Sequence, residues 1–229
     1  MVTWSTLRTR ISRKLNDADM RSYSASILLD AVNDALSAFA SGHTGIASTF
    51  TLTGDGTTSV FDLPSNIVDT EAAGIVAVQW LNNKWLPRFE YFPGTDLPND
   101  TISKTTAPVG YVLWPADQIT FTRIPKDEAS VILKYIAYYS VVALEADEIN
   151  IPRWAEEAVV LYASAVSMEP TATKTGKVRT YASRRDAGAP EDNPGLMLSN
   201  HYMHRYQMLL LEHPAPQYAK LQPIQKDHY

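Results

Sequence analysis

Three groups of side chains have the types and spacing that chemistry can use. Glu145, Asp147 and Glu148 gather carboxylates in one short stretch, as general acid–base catalysis needs. A solvated turn that places negative charge ahead of the following helix explains the same residues with less. His201 and His204 stand three apart on a predicted helix. Metal sites use that spacing, but a pair with no third His, Asp or Glu beside it predicts no metal site. Lys174, Lys177, Arg179, Arg184 and Arg185 face only Asp186 within residues 171–188, against a chain net charge of -5. This basic stretch reads either as a solvated loop or as a patch meeting DNA or an acidic partner surface. The sequence holds no P-loop, GxGxxG, HExxH or GxSxG motif, which argues against nucleotide, zinc-protease and hydrolase chemistry. It has no cysteine, so disulfides and Cys-based zinc sites are excluded. The expectation is a protein without catalytic residues, cofactor or metal.

The elements that would position any site are ordered around one helix, predicted over residues 151–168. Pro152 suits its first turn, where no amide donor is needed. Glu156 and Glu157 lie near the positive end of its dipole, and Pro170 ends it. Trp154, Ala158, Leu161, Tyr162, Ala165 and Met168 form one stripe at helical spacing. The polar face is thin: Arg153, Glu156, Glu157, Ser164 and Ser167, interrupted by Val160. Such a helix wants partners on more than one side.

Before it come two further predicted helices. Thr3 or Ser5 caps the first, with Trp4, Leu7, Ile11 and Leu15 on one face and Arg8, Arg10, Arg13 and Lys14 on the other. That basic face reads as solvated, with phosphate binding as the alternative. The second starts near Ser24 or Ser26, carries Leu28, Ala31, Val32, Ala35, Leu36 and Phe39, and stops at Gly42. From Thr49 the period becomes two. Phe50 and Leu52, then Val60, Phe61 and Leu63, flank Gly54-Asp55-Gly56-Thr57, which predicts a hairpin. A second hairpin turns at Asn82-Asn83, between Trp80 and Trp85. Residues 93–108 read as a long loop. Residues 111–114, 118–124 and 130–142 read as strands.

The expected fold class is therefore α+β: a bundle of N- and C-terminal helices, an inserted small antiparallel β-sandwich or barrel, and an extended C-terminal arm. The expected organisation is residues 1–45 and 149–213 as the bundle, 46–148 as the β-domain, and 214–229 as the arm. Leu196, Tyr202, Tyr206, Leu209 and Leu210 mark the last helix. The arm carries spaced anchors at Tyr218, Leu221, Ile224 and Tyr229 among its prolines. Such a segment suits docking in a neighbour's groove. No apolar run is long enough to predict a membrane span.

The order of several motifs resembles a known family. These are Leu15-Asn16-Asp17 with Leu28 to Leu36; Phe61-Asp62-Leu63-Pro64 with Ile75-Val76-Ala77-Val78 and Asn82-Asn83-Lys84-Trp85-Leu86; Pro108-Val109-Gly110-Tyr111 with Ile119 to Pro125 and Leu133-Lys134-Tyr135; and Asp147 to Trp154. Together they resemble the head-to-tail connector adaptors of tailed bacteriophages. The resemblance covers most of residues 7–168 and leaves out 171–229. It implies a ring, commonly of about twelve copies, in the neck of the virion and made in the host cytoplasm. It implies portal protein above and a tail or nozzle protein below, with DNA passing through the channel without sequence-specific binding and no membrane contact. It implies that Tyr218, Leu221, Ile224 and Tyr229 reach the portal. Two alternatives stand beside it: a tail-tube terminator or stopper ring, and a carbohydrate-binding tail module using Trp80, Trp85 or Trp114.

Overall fold

The computed structural model describes residues 1–68, 74–80, 84–89, 108–113, 117–168 and 194–215. The chain divides into two compact units. One holds Met1–His43 and Tyr139–Ala215, the other Thr44–Tyr138. The class is α+β, with four helices among the described residues.

In the first unit, β1 (Val2–Thr3) leads into α1 (Trp4–Lys14). Thr3 caps α1, its hydroxyl oxygen accepting the Thr6 N–H at 3.3 Å. Asn16 takes a left-handed backbone, φ 54°. Asp17 then accepts the N–H groups of Arg21, Ser22 and Tyr23 at 2.8–2.9 Å. Desolvation alone would raise the Asp17 pKa, but these three donors outweigh it and hold the carboxyl below its ordinary value. This is the physical content of Leu15-Asn16-Asp17: a tight turn organised by one carboxylate. Ser24 caps α2 (Ala25–Gly42), and the whole predicted stripe from Leu28 to Phe39 is buried.

The chain returns to this unit at Tyr139. Asn33 on α2 holds it there, its side chain both donating to the Val142 carbonyl and accepting the Val142 N–H. β9 (Glu148–Ile149) pairs antiparallel with β1, setting Val2 opposite Ile149. The third helix, α3, spans residues 155–168. It starts later than the sequence predicts: Ala155 donates to the Pro152 carbonyl at 2.8 Å, so Pro152 lies in the turn before it. Ala155, Ala158, Val159, Val160, Leu161, Ala163, Ser164 and Ala165 are all 0% exposed. The expected thin polar face is therefore partly core. Ser164 and Ser167 satisfy their hydroxyls by donating back to the Val160 and Ala163 carbonyls at 2.7 Å. The last helix, α4 (Pro194–Glu212), lays Tyr202, Met203, Tyr206, Leu209 and Leu210 against Ala158 and Leu161.

The second unit has two antiparallel sheets. The four-stranded sheet runs β2 (Ile46–Thr53), β8 (Ser130–Ala137), β4 (Ile75–Trp80) and β5 (Lys84–Leu86). The three-stranded sheet runs β3 (Val60–Asp62), β7 (Gln118–Phe121) and β6 (Tyr111–Val112). Both sheets contribute to one core, from Leu52, Val78 and Leu133 to Ile119 and Phe121, and they do not close into a barrel. The β4–β5 pairing matches the second predicted hairpin, whose turn at Asn82-Asn83 lies outside the described residues. The first hairpin is a correction. β2 pairs with β8 and β3 with β7, so Gly54 to Thr57 carries the chain from one sheet to the other. Its turn chemistry is as predicted: Asp55 accepts the Thr57 and Thr58 N–H groups at 2.8 Å. However, Gly54 sits so close to Pro125 and Lys126 that a Cβ there would clash. Its N–H donates to Ala129 and its carbonyl accepts from Glu128. These contacts tie the turn to the segment before β8 in place of a hairpin partner. Gly110 likewise has the Phe89 ring where a Cβ would lie. That close approach is why Pro108-Val109-Gly110-Tyr111 carries a glycine. The three predicted later strands are present but shorter, and all but Pro108 of the loop predicted over 93–108 lies outside the described residues.

Leu161→Ala removes a fully buried side chain from the α3–α4 contact. It is expected to cost about 2–5 kcal/mol, read from the denaturant midpoint with an unchanged m-value.

Candidate assembly surface

Three of the four cations on the basic face of α1 are held by carboxylates, while Arg13 is exposed. Arg8 pairs with Glu145. Arg10 reaches both Glu156 and Glu157 at 2.9 Å, and Lys14 reaches Glu157 at 2.6 Å. The carboxylates that sequence spacing assigned to the α3 dipole thus meet three cations from a segment over a hundred residues away in sequence. Desolvation works to raise the Glu157 pKa, yet Lys14 and Arg10 outweigh it and hold the carboxyl below its ordinary value. The same lysine anchors α4. The Lys14 carbonyl accepts the Tyr202 hydroxyl at 3.1 Å, and its ammonium lies 5.6 Å from the Tyr202 ring centroid. Lys14 therefore joins α1, α3 and α4 at one point.

The acidic turn is dispersed, not gathered as a catalytic set. Asp147 accepts the Ala143 and Leu144 N–H groups at 2.8 Å, which holds its carboxyl below the ordinary value. Glu148 is exposed in β9. The carbonyls of Asp147 and Glu145 accept the Trp4 and Ser5 N–H groups, two donors that α1 leaves unpaired at its start.

Aromatic rings fasten the far end of the unit. Trp154 stacks on His213 at 4.3 Å and meets Phe39 and His43 edge-on. His43 also bonds through Nε2 to the His213 carbonyl. Two histidines that carried no signal in the sequence thus fix the C-terminal end of α4. On the inner face, Tyr206 meets Tyr162 edge-to-face at 5.1 Å, and burial pushes its hydroxyl up to about 12. Ser199 donates to the Ala165 carbonyl at 3.0 Å.

The outer face of α4 is different. Met197, His201, His204, Met208 and Leu211 follow each other at steps of four and three, the spacing of a seam that receives another helix. All five are exposed, Met197 by 58%, Met208 by 44% and Leu211 by 76%. Leu196, one of the residues that mark this helix in the sequence, is exposed as well. No group of three potential metal ligands occurs among the described residues. His201 and His204 belong to this seam, with His201 beside Tyr202. The requirement for partners that the sequence placed on α3 is met inside the chain, and α4 carries exposed apolar side chains at Met197, Met208 and Leu211.

The proposed portal anchors Tyr218, Leu221, Ile224 and Tyr229 lie outside the described residues. So do Lys174, Lys177, Arg179, Arg184 and Arg185. Of the tryptophans considered for sugar stacking, Trp80 is core and Trp85 has the Lys134 ammonium 4.9 Å from its ring centroid. Trp114 lies outside the described residues. No described helix is long and apolar enough to cross a membrane.

A cycle of Lys14→Met and Glu157→Gln is expected to return a coupling of about 0.5–1 kcal/mol, shrinking in about 1 M salt. Because the folded state depresses the Glu157 pKa, this stability is present in full above the ordinary carboxylate value. It is lost as pH falls through the folded value. Acid titration of stability should show a shallower loss in Glu157→Gln than in wild type.

No curated protein matches the sequence. A family model described as SU10 adaptor protein matches residues 2–192. That span takes in α1, α2, all nine described strands and α3, and stops short of α4. This is a structural adaptor of the bacteriophage kind: the chain belongs to the SU10 adaptor protein family.

Proposed function

We propose that the protein forms a ring in the neck of the phage particle, docking portal protein above and a tail or nozzle protein below, and continues the DNA channel between them. The observation that carries this reading is the outer seam of α4. A helix whose inner face packs against α3, yet whose outer face offers Met197, Met208 and Leu211 to solvent, leaves apolar surface that a neighbouring subunit would bury. Repeated around an axis, such a contact joins unlike faces of identical subunits and closes a ring, commonly of about twelve copies. Family membership supports the adaptor role. The net charge of -5 suits a channel through which DNA slides without sticking. The arm beyond Pro214, through Tyr218, Leu221, Ile224 and Tyr229, would grip the portal, where a ring of weak contacts gains avidity. Lys174, Lys177, Arg179, Arg184 and Arg185 would meet DNA or an acidic rim of the portal. The role is structural, and no bond is made or broken in it.

Electron microscopy of the purified chain is expected to show rings. Met208→Lys with Leu211→Lys should leave the circular dichroism spectrum unchanged and abolish the rings. A monomer at every concentration tested would remove the reading. Deleting residues 214–229 should abolish capture of portal rings without unfolding the body. A full chain that binds tail tube and ignores portal would instead be a terminator.

A further inference from the structure

The inner stripe of α2, from Leu28 to Phe39, is buried. The opposite side carries Ile27, Asp30, Asp34, Ser37 and Ser41 at steps of three and four, all exposed. Asp30 and Asp34 are the only charged residues of α2, so its outer face is wholly acidic. The outer face of α4 has the opposite character, with Arg205 beside the imidazoles of His201 and His204, all exposed. Its one carboxylate, Glu212, is the last residue of the helix. Among the described residues no ion pair forms to Asp30, Asp34 or Arg205, whereas Arg8, Arg10 and Lys14 of α1 are held inside the chain. His201 and Arg205 stand four apart, as do Asp30 and Asp34. Laid side by side in parallel, with Asp30 opposite His201 and Asp34 opposite Arg205, the two faces agree along their length. Met197 falls beside Ile27, while Met208 and Leu211 fall on Ser37 and Ser41, whose small side chains leave room for them. Glu212 comes to lie by Ser41, clear of both aspartates. The antiparallel alternative, with Ile27 against Leu211, sets Met208 against Asp30. The fold selects the parallel choice independently. His43 and His213, at the C-terminal ends of α2 and α4, bond to each other within one subunit. Rotation about a ring axis preserves height along it, so for helices that run along the axis these ends stay level in neighbouring subunits. In the alignment that charge selects, His43 and His213 fall opposite each other to within one residue.

We infer that the outer face of α2 receives α4 of a second copy of this chain, in parallel, with Asp30 and Asp34 facing His201 and Arg205. The inference rests on the ring reading above and deepens it: α4 supplies one face of the repeating contact, and α2 supplies the other. Two unlike faces on one subunit are what a contact needs to repeat around an axis. Charge selects this occupant. An α2 face laid on another α2 face would set aspartates against aspartates, and like charges brought together across an interface are strongly disfavoured. The apolar residues Ile27, Met197, Met208 and Leu211 supply the burial. The charged residues fix which partner and which register is accepted, more than how tightly it is held.

The chain has no cysteine, so introduced pairs report contacts without background. Ile27→Cys with Met197→Cys, oxidised gently, should give a ladder of disulfide-linked multimers on a non-reducing gel. Ile27→Cys with Leu211→Cys, the antiparallel pairing, should give none. Asp30→Arg with Asp34→Arg should raise the concentration for half-assembly, read by sedimentation velocity, by about tenfold or more with an unchanged circular dichroism spectrum. Adding His201→Asp and Arg205→Asp to that variant should restore assembly. Rings of the Ile27→Cys, Met197→Cys variant that yield no ladder overturn the inference and leave the ring reading standing. So does a ladder from the Leu211→Cys pair, a link closed within one chain, or dimers from Ile27→Cys alone. If the cysteine variant forms no rings, the charge series decides: unchanged assembly with both aspartates reversed, or no recovery when the α4 charges are reversed as well, overturns the inference. A wild-type chain that stays monomeric at every concentration overturns the ring reading and this inference together.

Discussion

Everything in the helical unit depends on enclosing α3. Eight of its side chains have no exposure at all, and they lie on every side of the helix. A helix of this kind cannot rest on a single sheet or a single neighbour. Its small residues, Ala155, Ala158, Ala163, Ser164 and Ala165, let other backbones come close enough for a tyrosine or a serine on α4 to reach across. The neighbours come from both ends of the chain. Phe39 of α2 meets Trp154 just before α3, while Tyr202 and Tyr206 of α4 lie along it. The unit therefore consists of two segments distant in sequence, Met1–His43 and Tyr139–Ala215.

Magnitude decides what the ion pairs do. Arg8, Arg10 and Lys14 make four contacts with Glu145, Glu156 and Glu157, and the side chains are 21–59% exposed. Partly exposed pairs contribute about 0–1 kcal/mol each, while deleting one core leucine costs about 2–5 kcal/mol. Burial thus supplies the stability. The charges fix which turn of α1 lies beside the first turn of α3, since a slip of one residue would carry Arg10 and Lys14 away from Glu157 together. The β1–β9 pair does similar work in backbone terms: two residue pairs are too few to stabilise much, but they set the start of α1 against the turn before α3.

Local signals were legible in the sequence to within a few residues. Thr3 and Ser24 as caps, the α2 stripe and the Asp55 turn follow from short-range chemistry that the surroundings do not override. What required the third dimension was illegible for a physical reason. Gly54-Asp55-Gly56-Thr57 encodes a turn, but turn chemistry does not say which strands pair afterwards, and both flanking strands pair with segments far along the chain, β2 with β8 and β3 with β7. Glu156 and Glu157 satisfied a dipole rule so well that nothing in the local pattern called for cations. The Arg8, Arg10 and Lys14 face was equally self-sufficient as a solvated surface. Charge pairing across more than a hundred residues leaves no periodicity behind. His43 and His213 were invisible for the same reason, because their partner Trp154 is distant in sequence from both.

The demand for outside partners is also relocated by the third dimension. From the sequence, α3 is the helix with apolar residues to spare, yet its own chain covers it. Exposed apolar side chains stand instead on α4, where Met197, Met208 and Leu211 face solvent while Tyr206 is buried against α3.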